Sequence, residues 1–231
     1  MVPATNGGRA MRTMVFDLDG TLADTSADLI AAANACFRAL GHGDLLSAKD
    51  DALTAFHGGR AMLRLGFQRL GQGDEADVDR EYPRLLAHYA ACLDRETRLY
   101  PGAMAAVDRL KTAGWRVGIC TNKPEALAED LLQRLGIRGA FDALIGADTL
   151  PVRKPDPLPL TETVRRCGGD PARAILLGDT KTDRETARAA GVPSVLVTFG
   201  PEGAGVARLE PDALLDHYDG LYDLAERLLP A

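Results

Sequence analysis

The sequence predicts an α/β fold, in which a doubly wound parallel sheet carries an inserted all-helical cap domain. Strand-like and helix-like stretches alternate from residue 99 to the C-terminus, a pattern typical of parallel sheets with helices on both faces. Residues 25–98 show only helical periodicity, and one further apolar strand, residues 14–16, precedes them. The helical segment is therefore expected to interrupt the sheet between its first and second strands.

Length and composition are those of one large globular domain with an insertion. The 231 residues are 46% hydrophobic and 26% charged, which is sufficient for a sizeable core. The net charge of −6 and the lack of a basic cluster disfavour nucleic-acid binding. A negatively charged substrate would therefore need positive charge placed locally at its site.

No targeting or membrane segment is expected. The sequence has no run of about eighteen apolar residues, the length that a membrane-spanning helix needs. Residues 1–12 are polar and lack the apolar stretch of a signal peptide, so we expect a flexible tail. Four widely separated cysteines indicate reduced thiols and a cytoplasmic location rather than disulfides or a zinc site. They are Cys36, Cys92, Cys120 and Cys167.

The first helix of the inserted segment is predicted to begin near Thr25. Asp28 follows at the spacing of a capping box, although Asp is the weaker partner at that position. Apolar residues then recur at helical intervals as far as Gly41. Breaks at residues 41–43, 57–59 and 71–73 divide the segment into a small helical bundle without strands.

The second half of the chain divides into alternating helices and strands. We predict strands over residues 115–120, 143–147, 174–177 and 192–198, with a short edge strand over 213–216. Helices are predicted over residues 101–111 and 124–135, up to 167 after the proline-rich loop 148–157, and over 184–190 and 221–229. Pro124 suits the first turn of its helix, and glycines end most of the others.

Polar side chains follow successive predicted strands of the core at the points where those strands end. They are Asp17 and Asp19, then Thr121 and Asn122, then Lys154 on the next loop, then Asp179 and Asp183. In open parallel sheets, ligands bind at the carboxyl ends of the strands near a switch in strand order. A single Asp-x-Asp-Gly-Thr turn has an ordinary structural explanation, but four such ends in succession favour a binding site.

The residue types at these strand ends suit phosphoryl transfer. Clustered aspartate oxygens are hard ligands that fit Mg²⁺, which commonly shares carboxylates with a phosphate. Lys154 supplies a positive charge for a phosphate oxygen, and the Thr121 hydroxyl with nearby backbone N–H groups can hold the others. A carboxylate can be the in-line nucleophile and pass through an aspartyl-phosphate intermediate.

The two carboxyl groups of the first turn are expected to have different roles. Asp17 lies nearest the strand end and is better held for attack on phosphorus. Asp19 could protonate the leaving oxygen and then take a proton from the water that cleaves the intermediate. One carboxyl must then hold a proton near neutral pH, and repulsion from its neighbour favours that.

These residues resemble the four motifs of the haloacid dehalogenase superfamily, in order and at fitting separations. The motifs are Asp17-Leu18-Asp19-Gly20-Thr21, Thr121-Asn122-Lys123, Lys154-Pro155, and Gly178-Asp179 with Asp183. The second aspartate, Asp19, is characteristic of the phosphatases and phosphomutases of that superfamily. Thr180, where Ser is commoner, and Arg184, where an aliphatic residue is common, depart from the pattern without touching the proposed chemistry.

The resemblance implies a Mg²⁺-dependent phosphomonoester hydrolase. It implies a Rossmann-like phosphatase core of residues 13–24 and 99–231 and a helical cap of residues 25–98. The resemblance further implies that Asp17 is the nucleophile and a metal ligand, and that Asp19 is the acid/base and binds the metal through its backbone carbonyl. The remaining implied roles are phosphate binding by Thr121 and Lys154, with Asn122 as a further candidate, and metal binding by Asp179 with Asp183 in support.

The helical insertion resembles the superfamily's first type of cap, which closes over the active site and favours small-molecule substrates. His57, Gly58, Gly59 and Arg60 resemble the cap's substrate-specificity loop, although an ordinary turn with a solvated arginine fits them equally. If they are functional, Arg60 could pair with a substrate carboxylate. Residues 100–102, 121–124 and 189–193 are especially similar to phosphoglycolate phosphatases, which implies 2-phosphoglycolate as the substrate.

Several alternatives stay open. A sugar or nucleoside monophosphate could be the substrate, or the chain could be a phosphomutase resembling β-phosphoglucomutase. A phosphonate hydrolase would need a cap lysine for a Schiff base, and the only one, Lys49, lies upstream of the proposed loop. A phospho-accepting signalling module without turnover is disfavoured by Asp19 and by the insertion. A monomer or a homodimer is expected.

Some neighbours of the motif residues have more than one interpretation. Asn122 either caps the helix at Pro124 or contacts the substrate. Lys123 is expected to face solvent or to support the site from outside, because Lys154 fits the superfamily's lysine position. Cys120 is expected in the core, and the histidines at positions 42, 88 and 217 at the surface or in packing.

Overall fold

The computed structural model describes residues 11–230, which contain a six-stranded sheet and a two-stranded ribbon. The strands are β1 (Thr13–Phe16), β2 (Ala23–Asp24), β3 (Arg98–Leu99), β4 (Arg116–Cys120), β5 (Ala143–Ile145), β6 (Ala174–Gly178), β7 (Ser194–Val197) and β8 (Ala213–Leu215). The large sheet has the order β5-β4-β1-β6-β7-β8, and all of its pairs are parallel. The predicted doubly wound α/β fold is confirmed.

Nine α-helices accompany these strands in the described part of the chain. They are α1 (Ser26–Ala39), α2 (Ala52–Phe56), α3 (Gly59–Leu70), α4 (Glu75–Ala90), α5 (Ala103–Thr112), α6 (Glu125–Arg134), α7 (Leu158–Arg166), α8 (Lys181–Ala190) and α9 (Leu221–Leu228). Helices α1 to α4 follow one another between the glycine breaks. They pack around a buried apolar cluster that includes the edge-to-face rings of Phe37 and Phe67.

Strand β1 lies at the centre of the sheet and sets the position of the first motif. All four of its residues are buried, as expected for a strand covered on both faces. Its last residue, Phe16, lies beside Ile119 of β4 and Leu177 of β6. Because the three strands are parallel and in register, the residues that follow them meet at one edge of the sheet. The strand order also reverses here, which is where ligands bind in such folds.

Two passages of the chain join the sheet to the helical segment, and they pair with each other. Strands β2 and β3 form an antiparallel ribbon in which Ala23 faces Leu99 and Asp24 faces Arg98. The residue pattern predicts no strand here, because two residues are too few to show an alternation. The ribbon holds the two ends of the helical segment side by side.

The predicted capping box at the start of α1 is wrong. Thr25 precedes α1, but its side chain makes no capping hydrogen bond. Its hydroxyl donates instead to the Asp19 carboxylate at 2.7 Å. Asp28 is buried and accepts hydrogen bonds from the backbone N–H groups of Glu96 and Thr97. Both side chains therefore bind partners outside the helix, which sequence spacing cannot reveal.

Replacing Asp28 with Asn should destabilise the fold by about 2 kcal/mol, because a buried carboxylate that accepts from three donor groups loses one acceptor oxygen. Urea unfolding measures the change. Asp44→Asn is the matched control, since Asp44 forms an exposed ion pair with Arg38 that should contribute less than about 1 kcal/mol. Equal effects of the two substitutions would contradict this account of Asp28.

The boundary of the predicted tail at residue 12 is wrong. Residues 1–10 lie outside the described residues, whereas Arg12 is packed against the core. Its guanidinium donates to Glu226 Oε2 at 2.8 Å and stacks 4.4 Å from the centre of the Trp115 ring. Arg12 belongs to the folded domain, because its apolar stem and its charge both have partners there.

Three further features of the described residues concern possible membrane helices, the cysteines and the histidines. Among residues 11–230, no helix has both the length and the apolar character needed to cross a membrane. The four cysteines are free thiols, and Cys120 is fully buried at the end of β4. The histidines at positions 42, 88 and 217 are exposed.

Candidate active site

A cleft of about 680 Å³ lies between the helical segment and the carboxyl edge of the sheet. This volume is typical of small-molecule sites. Its walls include the predicted residues Asp17, Asp19, Thr121, Asn122 and Lys154 from the sheet side and residues 57–60 from the helical side. The other two predicted residues, Asp179 and Asp183, are buried next to Asp17. The fold thus brings all the predicted site residues together.

Three of the predicted aspartates form an acidic cluster. One carboxylate oxygen from each of Asp17, Asp179 and Asp183 lies within 4.8 Å of the others. Lys154 offsets part of this charge, since its Nζ lies 3.1 Å from Asp17 Oδ1 and 2.6 Å from Asp183 Oδ1. Three hard oxygen donors and one cation leave net negative charge, and this donor set fits a divalent cation such as Mg²⁺.

The buried position of the cluster changes its protonation. Burial raises the pKa of Asp17 to about 7, with Lys154 opposing and Asp183 reinforcing the shift. Burial, followed by repulsion from Asp183, also raises the pKa of Asp179 well above its usual range. A cation bound among these carboxylates would stabilise their ionised forms.

Gly20 and Thr21 allow the first motif to approach Asp179 closely. Gly20 has a φ of +81°, and a Cβ there would lie 2.3 Å from Asp179 Oδ2. The backbone conformation and the lack of space both require glycine at this position. The Thr21 hydroxyl donates to Asp179 Oδ1 at 2.9 Å and so orients that carboxylate.

Asp183 lies in the first turn of α8, which begins at Lys181 rather than at the predicted residue 184. The Thr180 hydroxyl accepts from the backbone N–H of Asp183, and Asp183 Oδ2 accepts from Thr180, so the two form a capping box. The carboxylate is held in this turn while its Oδ1 faces Lys154. The predicted helix start was wrong because Thr180 to Asp183 were assigned to the motif loop, although they also carry the capping signal.

The side chain of Asp19 points away from the acidic cluster. Asp19 Oδ1 accepts hydrogen bonds from the Thr25 hydroxyl at 2.7 Å and from Lys123 Nζ at 2.8 Å. The two aspartates of the first turn therefore have different surroundings, and the different roles expected for them stay predictions. The contact of the Asp19 backbone carbonyl with a metal stays a prediction.

Lys123 is buried, so the expectation that it could face solvent is wrong. Its side chain is only 3% exposed, and Nζ donates to both Asp19 and the hydroxyl of Tyr89 in α4. The two partners raise the pKa of Lys123 above its usual range, although burial by itself would lower it. The alternative expectation, that Lys123 supports the site, agrees with these contacts.

Asn122 does not cap the helix at Pro124. Its amide donates to the backbone carbonyl of Lys154 at 3.0 Å, and α6 is preceded by Pro124 without a side-chain cap. The Thr121 hydroxyl is buried and accepts from the backbone N–H of Lys123 at 3.1 Å. These contacts tie the second motif to the lysine of the third.

The predicted specificity residue Arg60 lies in the first turn of α3 and is already partnered. Its guanidinium pairs with Asp79 and stacks over the Tyr82 ring, 4.6 Å from the ring centre. The cleft is also lined by charged residues that motif spacing does not indicate. They are Arg64, Arg153, Lys181, Glu202 and Arg208. They lie on helices and loops that meet at the cleft only in the folded chain, so the sequence carries no signal for them.

The metal-free protein should lose stability as the pH rises from about 4 to 7. In the unfolded chain Asp17 ionises near its usual pKa of about 3.9, whereas the folded protein keeps this proton up to about pH 7. The folded state therefore binds the extra proton in that window, and the free energy of unfolding falls with pH by on the order of 3 kcal/mol. Chemical denaturation in EDTA measures this fall, and Asp17→Asn should remove the part that Asp17 contributes while leaving the part that Asp179 contributes. Parallel pH profiles for the two proteins would contradict the raised pKa.

Comparisons with known proteins agree with the motifs. The model of the haloacid dehalogenase-like hydrolase family matches residues 11–191. The phosphoglycolate phosphatase of Mesorhizobium japonicum is 42% identical over 222 residues, covering 94% of this chain and 96% of that protein. That of Agrobacterium fabrum is 41% identical over 210 residues, covering 90% and 89%. A solved structure, described as a predicted phosphoglycolate phosphatase from Haemophilus somnus, shares the fold with a TM-score of 0.79 at 23% identity, covering 94% of this chain and 99% of that one.

Proposed function

This chain belongs to the haloacid dehalogenase-like hydrolase family and is a phosphatase, and we propose that it hydrolyses 2-phosphoglycolate to glycolate and phosphate. The substrate is supported by the two related phosphoglycolate phosphatases, which align with 90% or more of this chain. The chemistry is supported chiefly by one observation: Asp17 lies on the cleft wall, in contact with Lys154 and within 4.8 Å of the two buried carboxylates.

In the proposed reaction Asp17 is the nucleophile. Its carboxylate attacks the phosphorus atom in line with the ester oxygen, which forms an aspartyl-phosphate and releases glycolate. Water then attacks the phosphorus of this intermediate, and phosphate leaves as the Asp17 carboxylate is restored. Leu18 donates its backbone N–H to Asp17 Oδ1 at 2.7 Å, which holds the carboxylate in one orientation.

The acidic cluster would hold Mg²⁺ for this reaction. Asp17, Asp179 and the backbone carbonyl of Asp19 are the proposed ligands, with Asp183 in support. When bound, the ion neutralises charge on the phosphoryl oxygens and allows a dianionic ester to approach the carboxylates. Without that charge, repulsion between the substrate and the cluster would oppose binding.

Lys154 and Thr121 are proposed to bind the remaining phosphate oxygens. Although burial would lower the pKa of Lys154, the carboxylates of Asp17 and Asp183 raise it above its usual range, so the side chain stays positively charged. The Thr121 hydroxyl accepts from a backbone N–H, which leaves its own proton for a phosphate oxygen. One N–H of the Asn122 amide donates to the backbone carbonyl of Lys154, and the other is available to the substrate.

Asp19 is proposed as the acid and then the base. It gives a proton to the ester oxygen as glycolate leaves, because an alkoxide is a poor leaving group, and it later takes a proton from the attacking water. Residues 25–98 act as a cap in this proposal, since residues 57–60 line the cleft opposite the motifs. A covered site of this size favours small phosphomonoesters.

A substrate panel tests the proposed function. With Mg²⁺, the purified protein should hydrolyse 2-phosphoglycolate with a kcat/KM at least about tenfold above those of sugar and nucleoside monophosphates. NMR of the products distinguishes glycolate plus phosphate from an isomerised ester, which a phosphomutase would form. No preference for phosphoglycolate would overturn the substrate, and a single turnover without steady-state phosphate release would indicate a signalling module.

We propose that Arg60 exchanges its exposed pair with Asp79 for the carboxylate of the substrate. Arg60→Met should then raise the KM for 2-phosphoglycolate by about 10- to 100-fold, because this charge-assisted hydrogen bond is lost. Activity on ethyl phosphate, which lacks that carboxylate, should change little. Arg153→Met removes another arginine of the same cleft and is the matched comparison. A selective loss in Arg153→Met alone would assign the carboxylate to Arg153 instead.

A further inference from the structure

Lys123 connects the helical segment to Asp19 through contacts of its buried ammonium. Its Nζ lies 2.8 Å and 3.1 Å from the two oxygens of the Asp19 carboxylate and 2.8 Å from the Tyr89 hydroxyl. The Tyr89 side chain is 1% exposed, and its ring centre lies 4.4 Å from the ammonium. The Asp19 carboxylate, which follows β1, the Lys123 ammonium, which follows β4, and the Tyr89 hydroxyl of α4 thus meet at the cleft wall.

The backbone of Lys123 is held on both sides. Its N–H donates to the Thr121 hydroxyl at 3.1 Å, and its carbonyl accepts from Ala147 N–H at 2.9 Å. The side chain therefore extends from a rigid turn toward Asp19. An exposed ion pair contributes little to stability. A surface lysine would therefore gain little from a backbone held in this way.

Burial of the Lys123 ammonium costs desolvation free energy, so stability alone is a weak reason for this arrangement. A buried ion pair recovers its desolvation cost only with good geometry, and an apolar pair of similar size is often as stable. The arrangement does restrict Asp19: the ammonium contacts both carboxylate oxygens, and the Thr25 hydroxyl contacts one of them. The Asp19 carboxyl is thus held in one rotational state.

We propose that Lys123, together with Tyr89, positions the Asp19 carboxyl for proton transfer to the leaving oxygen and stabilises the carboxylate that forms as the proton leaves. Proton transfer requires the acid within about 3 Å of the oxygen that it protonates. Neither Lys123 nor Tyr89 needs to touch the substrate for this effect. The inference rests on the proposed function, because it assumes that Asp19 is the acid.

Aryl phosphates of similar size test the proposal. The p-nitrophenolate leaving group of p-nitrophenyl phosphate departs without a proton. The phenolate of phenyl phosphate is a poorer leaving group and departs faster when an acid protonates it. In Lys123→Met, kcat/KM for phenyl phosphate should fall about 30-fold and that for p-nitrophenyl phosphate less than about threefold. Tyr89→Phe, which keeps the ring and leaves all charges unchanged, should show the same selectivity with a fall of about fivefold on phenyl phosphate. Lys49→Met removes an exposed lysine of the helical segment and is the control.

Equal losses on both esters would overturn the proposal and assign Lys123 a purely structural role. A rise in KM with unchanged kcat on both esters would also overturn it, because Lys123 would then bind phosphate directly. If Lys123→Met does not fold, Tyr89→Phe decides alone. If phosphoglycolate proves a poor substrate while the aryl esters separate as expected, the proposed substrate fails and the role of Lys123 stands.

Discussion

Asp17→Asn should lower kcat by at least about 10⁴-fold while leaving the fold intact. An amide cannot take the place of the carboxylate that attacks phosphorus, and removal of a nucleophile typically costs this much or more. The substitution keeps the shape of the side chain. It also removes one of three mutually repelling carboxylates, since Asp179 and Asp183 lie within the same cluster. The metal-free variant should therefore unfold at no lower temperature than the wild type.

Steady-state phosphate release and thermal unfolding measure these two effects. Asp108→Asn is the matched control, because Asp108 is exposed on α5 and outside the cleft. Rapid quenching with labelled substrate should trap a phosphorylated chain in the wild type and none in Asp17→Asn. Substantial turnover in Asp17→Asn would exclude the covalent mechanism, whatever the substrate proves to be.

Removing divalent cations with EDTA should lower kcat by at least about 10³-fold, and excess Mg²⁺ should restore it. The reason is electrostatic: Asp17 must be ionised to attack, and three ionised carboxylates against one lysine repel a phosphate dianion unless a cation is bound. Ca²⁺ should restore less activity, because it prefers longer bonds and more ligands than Mg²⁺.

Metal binding also has a readout that is independent of turnover. At about 100 times its Kd, Mg²⁺ should stabilise the wild type by about 2.7 kcal/mol. Asp179→Asn should lose most of this increase, whereas Asp19→Asn should keep it, because only the backbone of Asp19 is a proposed ligand. Activity that resists chelation, or an unfolding temperature that does not respond to Mg²⁺, would contradict the metal site.

Motif spacing predicted the members of the candidate site better than their environments. Asp17, Thr121, Lys154 and the later aspartates all meet in the structure because parallel strands in register end at one edge of the sheet. The same reasoning placed Lys123 partly in solvent, because the second motif shows no partner for its charge. The partner of that charge, Asp19, lies 104 residues away in the first motif, and the hydroxyl of Tyr89, 34 residues away in the helical segment, also binds the ammonium.

Local rules failed where a distant group competed for a side chain. Thr25 and Asp28 have the spacing of a capping box, but Asp19 and the backbone of Glu96 and Thr97 take their hydrogen bonds. Thr180 and Asp183 have the same spacing and do form such a box, because Asp183 binds Lys154 through Oδ1 and keeps Oδ2 for Thr180. The first case is not recoverable from spacing, since its competitors become neighbours only after folding.

The sequence by itself determined the α/β class, the place of the helical insertion and the chemical groups at each strand end. Those features follow from hydrophobic periodicity and from the geometry of parallel strands, which act over short stretches of chain. Only the tertiary structure decided which charges pair, that Asp19 is held by Lys123 and Tyr89, and that Asp17 is buried beside two other carboxylates. The physical reason is that pairing and burial depend on groups far apart in sequence, and they set both the orientation and the pKa of each carboxyl.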